Sequence, residues 1–373
     1  MYDKKNREKL YSLQQEVQGF SLLCKKDRKR AQRAEKKRST KAMNYYLAPM
    51  EGITGYIYRN ACSRHFGGVK KYFTPFLSPH MKKAMTSREK NDILPEHNEG
   101  LYVVPQILAN DGEAFCRALE ILGDLGYREV NLNLGCPSGT VVSKGRGAGF
   151  LAADRREALS RFLDQIYDCS EKKGMQISIK TRLGMEQPEE FEDLLSLYTR
   201  FPVSELVLQP RVQKDFYKNT PHWKEFCLAE ETAENKGRES SWLCYNGDIF
   251  SPMAAEEFFR EFPKLSCVML GRGMIANPGL ARQLSDGGSR ITEQELRNFH
   301  DEILAGYQEI MSGDRNTLFK MKELWSYQLA LFPDCEKQAK KIRKAGTMDS
   351  YLAAVDELFG TGKFCPERYF EGF

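Results

Sequence analysis

Cys136 is the residue in this sequence whose setting most clearly invites chemistry. It stands in "NLNLGCPSGTVVSKGRGAG", residues 131–149, between a strand-like run and a loop of glycines and basic residues. Asn131 and Asn133 alternate with Leu132 and Leu134, so both amides leave one face of an extended segment. Gly135 and Pro137 then hold the thiol in a turn. A thiol with a pKa of about 8.5 is protonated at neutral pH yet acidic enough to release its proton, as a general acid must. The other nine of the ten cysteines read as buried and inert. They are scattered without a CxxC pair, which fits reduced thiols in a cytoplasmic protein better than a disulfide framework. Five histidines and these cysteines show no ligand spacing, so no metal is expected.

Eight strand-like runs must position that thiol and whatever surrounds it: 45–50, 69–77, 101–108, 129–136, 175–183, 204–211, 241–248 and 265–273. Between them, "GEAFCRALEILGDLG", "DRREALSRFLDQIYDCSEK" and "EEFEDLLSLYTRF" carry apolar residues at helical spacing. Strand alternating with helix implies a parallel sheet, and eight repeats over about 240 residues match an α/β fold of the (β/α)8 TIM-barrel type. An open doubly wound sheet is the alternative. Polar or special residues gather at the C-terminal ends of the runs: Pro49 and Met50, Gln106, Cys136, Lys180, Arg211, Asn246 and Asp248, and Arg272. In a barrel those ends converge on one mouth, where active sites lie.

The net charge of +5 is not evenly spread. Residues 1–42 hold 14 basic and 5 acidic residues, whereas 43–373 hold 42 basic and 46 acidic. The excess therefore sits in a basic N-terminal leader, read as a disordered or loosely helical tail with a possible part in nucleic-acid contact. No apolar run is long enough to span a membrane, so no membrane partner is expected. After Pro278 the pattern becomes purely helical, and Leu318, Met321, Leu324 and Trp325 mark one buried face. This divides the chain into a leader (1–42), a barrel domain (43–285) and a helical domain (286–373). Lys337, Lys340, Lys341, Arg343 and Lys344 make a basic stretch in the last of these, suited to phosphate contact if it lies beside the mouth.

The loop "GRGAG" is not a dinucleotide fingerprint and no Walker motif occurs. "VMLGRGMIANPGL" is more informative: a strand ending in Gly271-Arg272-Gly273, then a short helix from Asn277, is how barrels build a phosphate site. With "APMEGITGYIYR", "IKTRLG", "QPRVQKDFYKN" and "NGDI" in the same order, the chain resembles the dihydrouridine synthases over about residues 45–285. These are FMN-dependent enzymes that reduce uridine in tRNA.

The resemblance implies FMN contacts at Pro49, Met50 and Glu51, at Gln106 and Lys180 on the flavin ring, and at Asn246, Gly247, Asp248, Gly271 and Arg272 toward the ribityl and phosphate end. It implies that hydride passes from reduced FMN to C6 of uracil and a proton from Cys136 to C5. Asn133 would bond the uracil edge, Lys144 and Arg146 would meet backbone phosphates or order their loop, and Tyr217 would hold the flanking strand. NADPH is the implied reductant and tRNA the partner, with ribosomal RNA still open; a monomer is expected. One position departs: the family's His-x-Arg is here Gln209-Pro210-Arg211, and glutamine can donate a hydrogen bond but cannot titrate. Two other readings stay open, a small-molecule FMN oxidoreductase of the dihydropyrimidine type and an RNA-binding chain without catalysis.

Overall fold

The computed structural model describes residues 43–80, 85–285 and 288–372. The leader, 1–42, lies outside them, as do Asp286 and Gly287 at the expected domain boundary. The strands are β1 (Asn44–Leu47), β2 (Lys71–Phe73), β3 (Val103–Val104), β4 (Gln106–Ile107), β5 (Glu129–Leu134), β6 (Gln176–Thr181), β7 (Leu206–Leu208), β8 (Leu243–Tyr245) and β9 (Cys267–Leu270). All pair in parallel, in the order β3-β2-β1-β9-β8-β7-β6-β5-β4. β3 and β4 are the expected run 101–108, interrupted at Pro105, which has no N–H to offer a ladder. The two ends of the strand order are therefore neighbours in sequence, and the sheet closes as a TIM barrel rather than an open doubly wound sheet.

Side-chain alternation divides the strands between two surfaces. Outward residues such as Tyr45, Leu47, Leu132, Ile179, Leu208, Tyr245 and Leu270 join the core between sheet and helices. Inward residues Tyr46, Ala48, Phe73, Val104, Val207, Cys244, Cys267 and Met269 form a second apolar cluster inside the barrel. By the same alternation β4, β5 and β6 send Gln106, Asn131, Asn133, Ser178 and Lys180 inward. One side of the barrel interior is thus polar, and that side carries the cysteine.

The helices start and stop where the sequence supplies caps. The helix α1 (Tyr56–His65) follows β1. Helix α2 (Gly112–Asp124) begins where the Asp111 carboxylate accepts the Ala114 N–H at 2.7 Å. Helix α3 (Arg156–Lys173) stops at Gly174, whose φ of 62° is the left-handed conformation of a helix end. Beyond the barrel come α4 (Glu293–Ile310), α5 (Asp314–Gln328), α6 (Glu336–Lys344) and α7 (Met348–Thr361). Leu318, Met321, Leu324 and Trp325 are all buried. The helical segment packs directly on the barrel: Phe299 of α4 meets Tyr58 and Phe66 with ring centroids 5.4 and 5.2 Å apart. Among the described residues no helix is long and apolar enough to cross a membrane.

Candidate active site

At the C-terminal end of β5, a chain of amides fixes the cysteine. Ser178 Oγ accepts from Asn131 Nδ2 at 3.0 Å, and Asn131 Oδ1 accepts from Gln106 Nε2 at 2.7 Å. Gln106 Oε1 in turn accepts from Asn133 Nδ2 at 2.7 Å. Asn133 Oδ1 then receives the N–H groups of Gly135 and Cys136, at 3.0 and 2.9 Å. Every buried amide is oriented by the next, so the turn carrying the thiol has one arrangement. The glycine loop braces it from the other side, where Ala148 N–H donates to the Cys136 carbonyl at 3.0 Å. Gly147 (φ 54°) makes this possible, since a Cβ there would lie 2.8 Å from the Cys136 carbonyl oxygen and 3.0 Å from its Cβ.

The Cys136 side chain is half-buried. Burial pushes its thiol up, against the opposing pull of a backbone N–H at Ser138 and the cations Lys180 and Arg182. The group is therefore a thiol, not a thiolate, at neutral pH. Lys180, paired in register with Asn133, behaves in the opposite sense: burial and the nearby Arg182 lower its ammonium to about 7. Lys180 has no carboxylate partner among the ion pairs of the described residues.

A second group gathers around Asp248, which sits between Arg211 (Nη1 to Oδ1 3.2 Å, with Nη2 on Oδ2) and Arg272 (Nη2 to Oδ1 2.6 Å). Arg211 also donates from Nε to the Asn219 carbonyl at 2.6 Å, so most of its guanidinium is committed to bracing the loop after β7. Arg272 lies over the rings of Tyr217 and Phe250, 4.6 and 5.2 Å from their centroids. The short helix here begins at Arg272 and runs to Ala276, five residues before the expected start at Asn277. Asn246 Nδ2 donates to the Met269 carbonyl at 2.8 Å, and Gly247 leaves room for the Tyr245 hydroxyl, which a Cβ would meet at 2.0 Å. At the β1 end, a Cβ on Gly271 would lie 3.7 Å from Met50 Sδ, which places those two strand ends side by side. Pro49 is half-buried beside Met50, and Gln209 is buried.

Three expected residues make their polar contacts outside these networks, although the Glu51 carboxylate is near enough to help raise the Cys136 thiol. Glu51 is exposed and pairs with Arg88 at 3.3 Å. Lys144 is exposed, while Arg146 Nε donates to Asn110 Oδ1 at 3.2 Å and so orders its own loop. Sequence reasoning passed over Arg182, which connects the two groups. Its fully buried guanidinium donates to the carbonyls of Gly135, Val212 and Phe216, each at 2.9 Å, and lies 5.4 Å from the Tyr217 ring centroid. The available signal was parity along and just past β6: Ser178, Lys180 and Arg182 are two residues apart and share one face of an extended run. Lys320 was also missed; Lys320 Nζ of α5 donates to the Gly52 carbonyl at 2.5 Å, tying the helical segment to the loop after β1.

At the opposite end of the barrel Lys71 Nζ lies 3.0 Å from Glu129 and 2.9 Å from Glu205. Glu205, Cys244 and Cys267 there have donor atoms within 4.8 Å of one another. The Lys71 ammonium already neutralises that carboxylate and would repel a metal ion.

The mouth of this parallel barrel thus gathers a positioned thiol, several arginines and a lysine without a carboxylate partner among the described residues. The dihydrouridine synthase family model matches residues 46–344. The chain belongs to the dihydrouridine synthase family. It is 27% identical over 238 residues to a protein of Staphylococcus epidermidis described as a probable tRNA-dihydrouridine synthase, covering 63% of this chain and 69% of that protein. A Bacillus subtilis protein described as a probable tRNA-dihydrouridine synthase 2 is 25% identical over 268 residues, covering 69% of this chain and 78% of its own. Among solved structures, morphinone reductase overlays with a TM-score of 0.46 at 12% identity, over 65% of this chain and 85% of that one.

Proposed function

We propose that this chain reduces the C5=C6 bond of uridines in tRNA to 5,6-dihydrouridine, with FMN as its flavin and NADPH as reductant. The observation that carries this reading is Lys180: an inward lysine at the barrel mouth, lowered to about 7 and without a carboxylate partner among the described residues. Such a group fits an electron-rich ligand that restores its charge. FMN, when bound, supplies the hydride that goes to uracil C6. Lys180 would offer positive charge to the flavin ring, and Gln106, Pro49, Met50, Asn246 and Gly247 stand at the same strand ends to hold it. Gly271 and Arg272 would hold its phosphate, with Asp248, itself held by Arg211, setting the Arg272 side chain.

Hydride addition at C6 leaves enolate character across C5 and the C4 carbonyl, and this needs a proton at C5. Cys136 donates it from Sγ, and the raised thiol pKa ensures that the proton is there to give. Asn133 holds the cysteine turn with Oδ1, and its amide has a second N–H beyond the one given to Gln106, which reads the uracil edge. Tyr217, with its ring against Arg272 and Arg182, braces the loop beside the target, and the basic residues of α6 are the candidates for phosphate contact. The base must leave its stack to reach the site, since the reacting carbons are inaccessible within one.

The test maps dihydrouridine in tRNA treated with the parent protein and with Cys136→Ala, using free uridine as a control substrate. The parent should purify yellow and form dihydrouridine in tRNA far faster than in free uridine. Cys136→Ala should still accept electrons from NADPH and lose uridine reduction by about 10²–10⁴-fold, the range for removing a general acid. Product formation at the parent's rate would remove the cysteine from the mechanism.

A further inference from the structure

Phe216 and Asp334 are the only residues other than glycine with positive φ among the described residues. Phe216 has φ 49° and ψ −99°, a conformation that glycine would take without penalty and a bulky residue resists. Its backbone is held there from both sides. The Phe216 N–H donates to the Gln213 carbonyl at 3.1 Å, and its own carbonyl accepts from Arg182 Nη2 at 2.9 Å. Gln213 Nε2 reaches across to the Pro137 carbonyl at 3.0 Å, next to Cys136. The same Arg182 guanidinium bonds Gly135 on the other side of the cysteine. Phe216 is therefore fixed at the rim of the site, one guanidinium away from the turn that carries the thiol.

Phe216, by contrast, is 43% exposed as a residue, and its ring has no ring or cation partner among the described residues. Its neighbour Tyr217 is exposed to a similar extent, 42%, but its ring is taken up by Arg272 and Arg182 at 4.6 and 5.4 Å. The loop thus keeps one aromatic for its own scaffold and presents a second, immobilised and apolar, to solvent. An immobilised aromatic face beside a site that accepts an extruded base suits stacking against another base, because every nucleobase has a π-face and an unstacked strand exposes it.

We propose that Phe216 is a stacking subsite for a nucleobase flanking the target uridine in single-stranded RNA. The inference rests on the tRNA-reductase reading above. The ring replaces the stacking that the flanking base loses when the target leaves the strand, and the pinned backbone means that little freedom is lost on binding.

The test uses full-length, FMN-loaded protein and tRNA, with Phe216→Leu, Phe216→Gly and Phe216→Tyr. Leucine keeps an apolar side chain but no π-face, glycine removes the backbone constraint, and tyrosine keeps the ring. Bound FMN and NADPH-driven flavin reduction should match the parent in all three. RNA affinity should fall about 5- to 150-fold for the leucine and glycine variants, the range for losing one base–aromatic stack, and should stay near the parent's for tyrosine. The slope of affinity against salt should not change, because no phosphate contact is removed. Parent-like RNA affinity in Phe216→Leu overturns the subsite, as does an equal loss in Phe216→Tyr, which would assign the effect to loop geometry. In both cases a parent still active on tRNA leaves the enzymatic reading standing. A parent that forms no dihydrouridine in any RNA overturns that reading, and the subsite with it.

Discussion

Replacing Lys180 with methionine should make the flavin-free protein more stable, and by an amount that depends on pH. Methionine has a similar length and no charge to desolvate. Burial, with Arg182 nearby, lowers the Lys180 ammonium from 10.5 to about 7, so the folded state disfavours the charged form. That difference corresponds to about 5 kcal/mol at 1.36 kcal/mol per unit. The side chain keeps partial solvent access, so about 2–5 kcal/mol is the working range. Between pH 7 and 10.5 the unfolded chain binds the lysine proton and the folded chain does not, so parent stability rises with pH across that window. Below pH 7 both states are protonated and the full penalty is present. The advantage of Lys180→Met should therefore be largest at pH 6 and shrink as pH rises through 7 toward 10. Denaturant unfolding of flavin-stripped protein at pH 6 and pH 9.5 measures it, and saturating FMN should narrow the gap by stabilising the parent more than the variant. A variant less stable than the parent at pH 6, or a gap that ignores pH, would show that Lys180 is a structural cation and would refute the reasoning.

Lys71→Met should destabilise the protein by about 3–5 kcal/mol, because it leaves Glu129 and Glu205 buried without their cation. Burial opposes the charge of Lys71, but the two carboxylates prevail and hold its ammonium above its ordinary range. A shift in denaturation midpoint worth under about 1 kcal/mol would refute this. Arg272→Ala should keep the fold, since Asp248 retains Arg211, yet weaken FMN binding by about tenfold or more, as expected for loss of a charge-assisted hydrogen bond. Flavin fluorescence titration reads the affinity, and an unchanged value would move the phosphate elsewhere.

Much of the fold and part of the site were legible in the residues alone, because both depend on local pattern. Period-two alternation in "EVNLNL" and "MQISIKTRL" places Asn131, Asn133, Ser178 and Lys180 on one face, and parallel strands joined by helices bring their C-terminal ends to one mouth. The turn around Cys136 follows from its flanking glycine and proline. Closure of the sheet at Pro105 is a property of the whole ring, however, and no window of sequence contains it. Lys180 could be placed on a face from sequence, but its depressed pKa arises from burial and from Arg182 together, which only the assembled barrel provides. Arg182 itself was visible as a basic residue just past β6, in step with Ser178 and Lys180, yet its role depends on three carbonyls drawn from residues 135, 212 and 216. The positive φ of Phe216 is likewise imposed by those long-range bonds, against its own preference. Sequence determines which groups can face inward. The tertiary structure decides which of them meet, because burial and charge act through space between residues far apart in the chain.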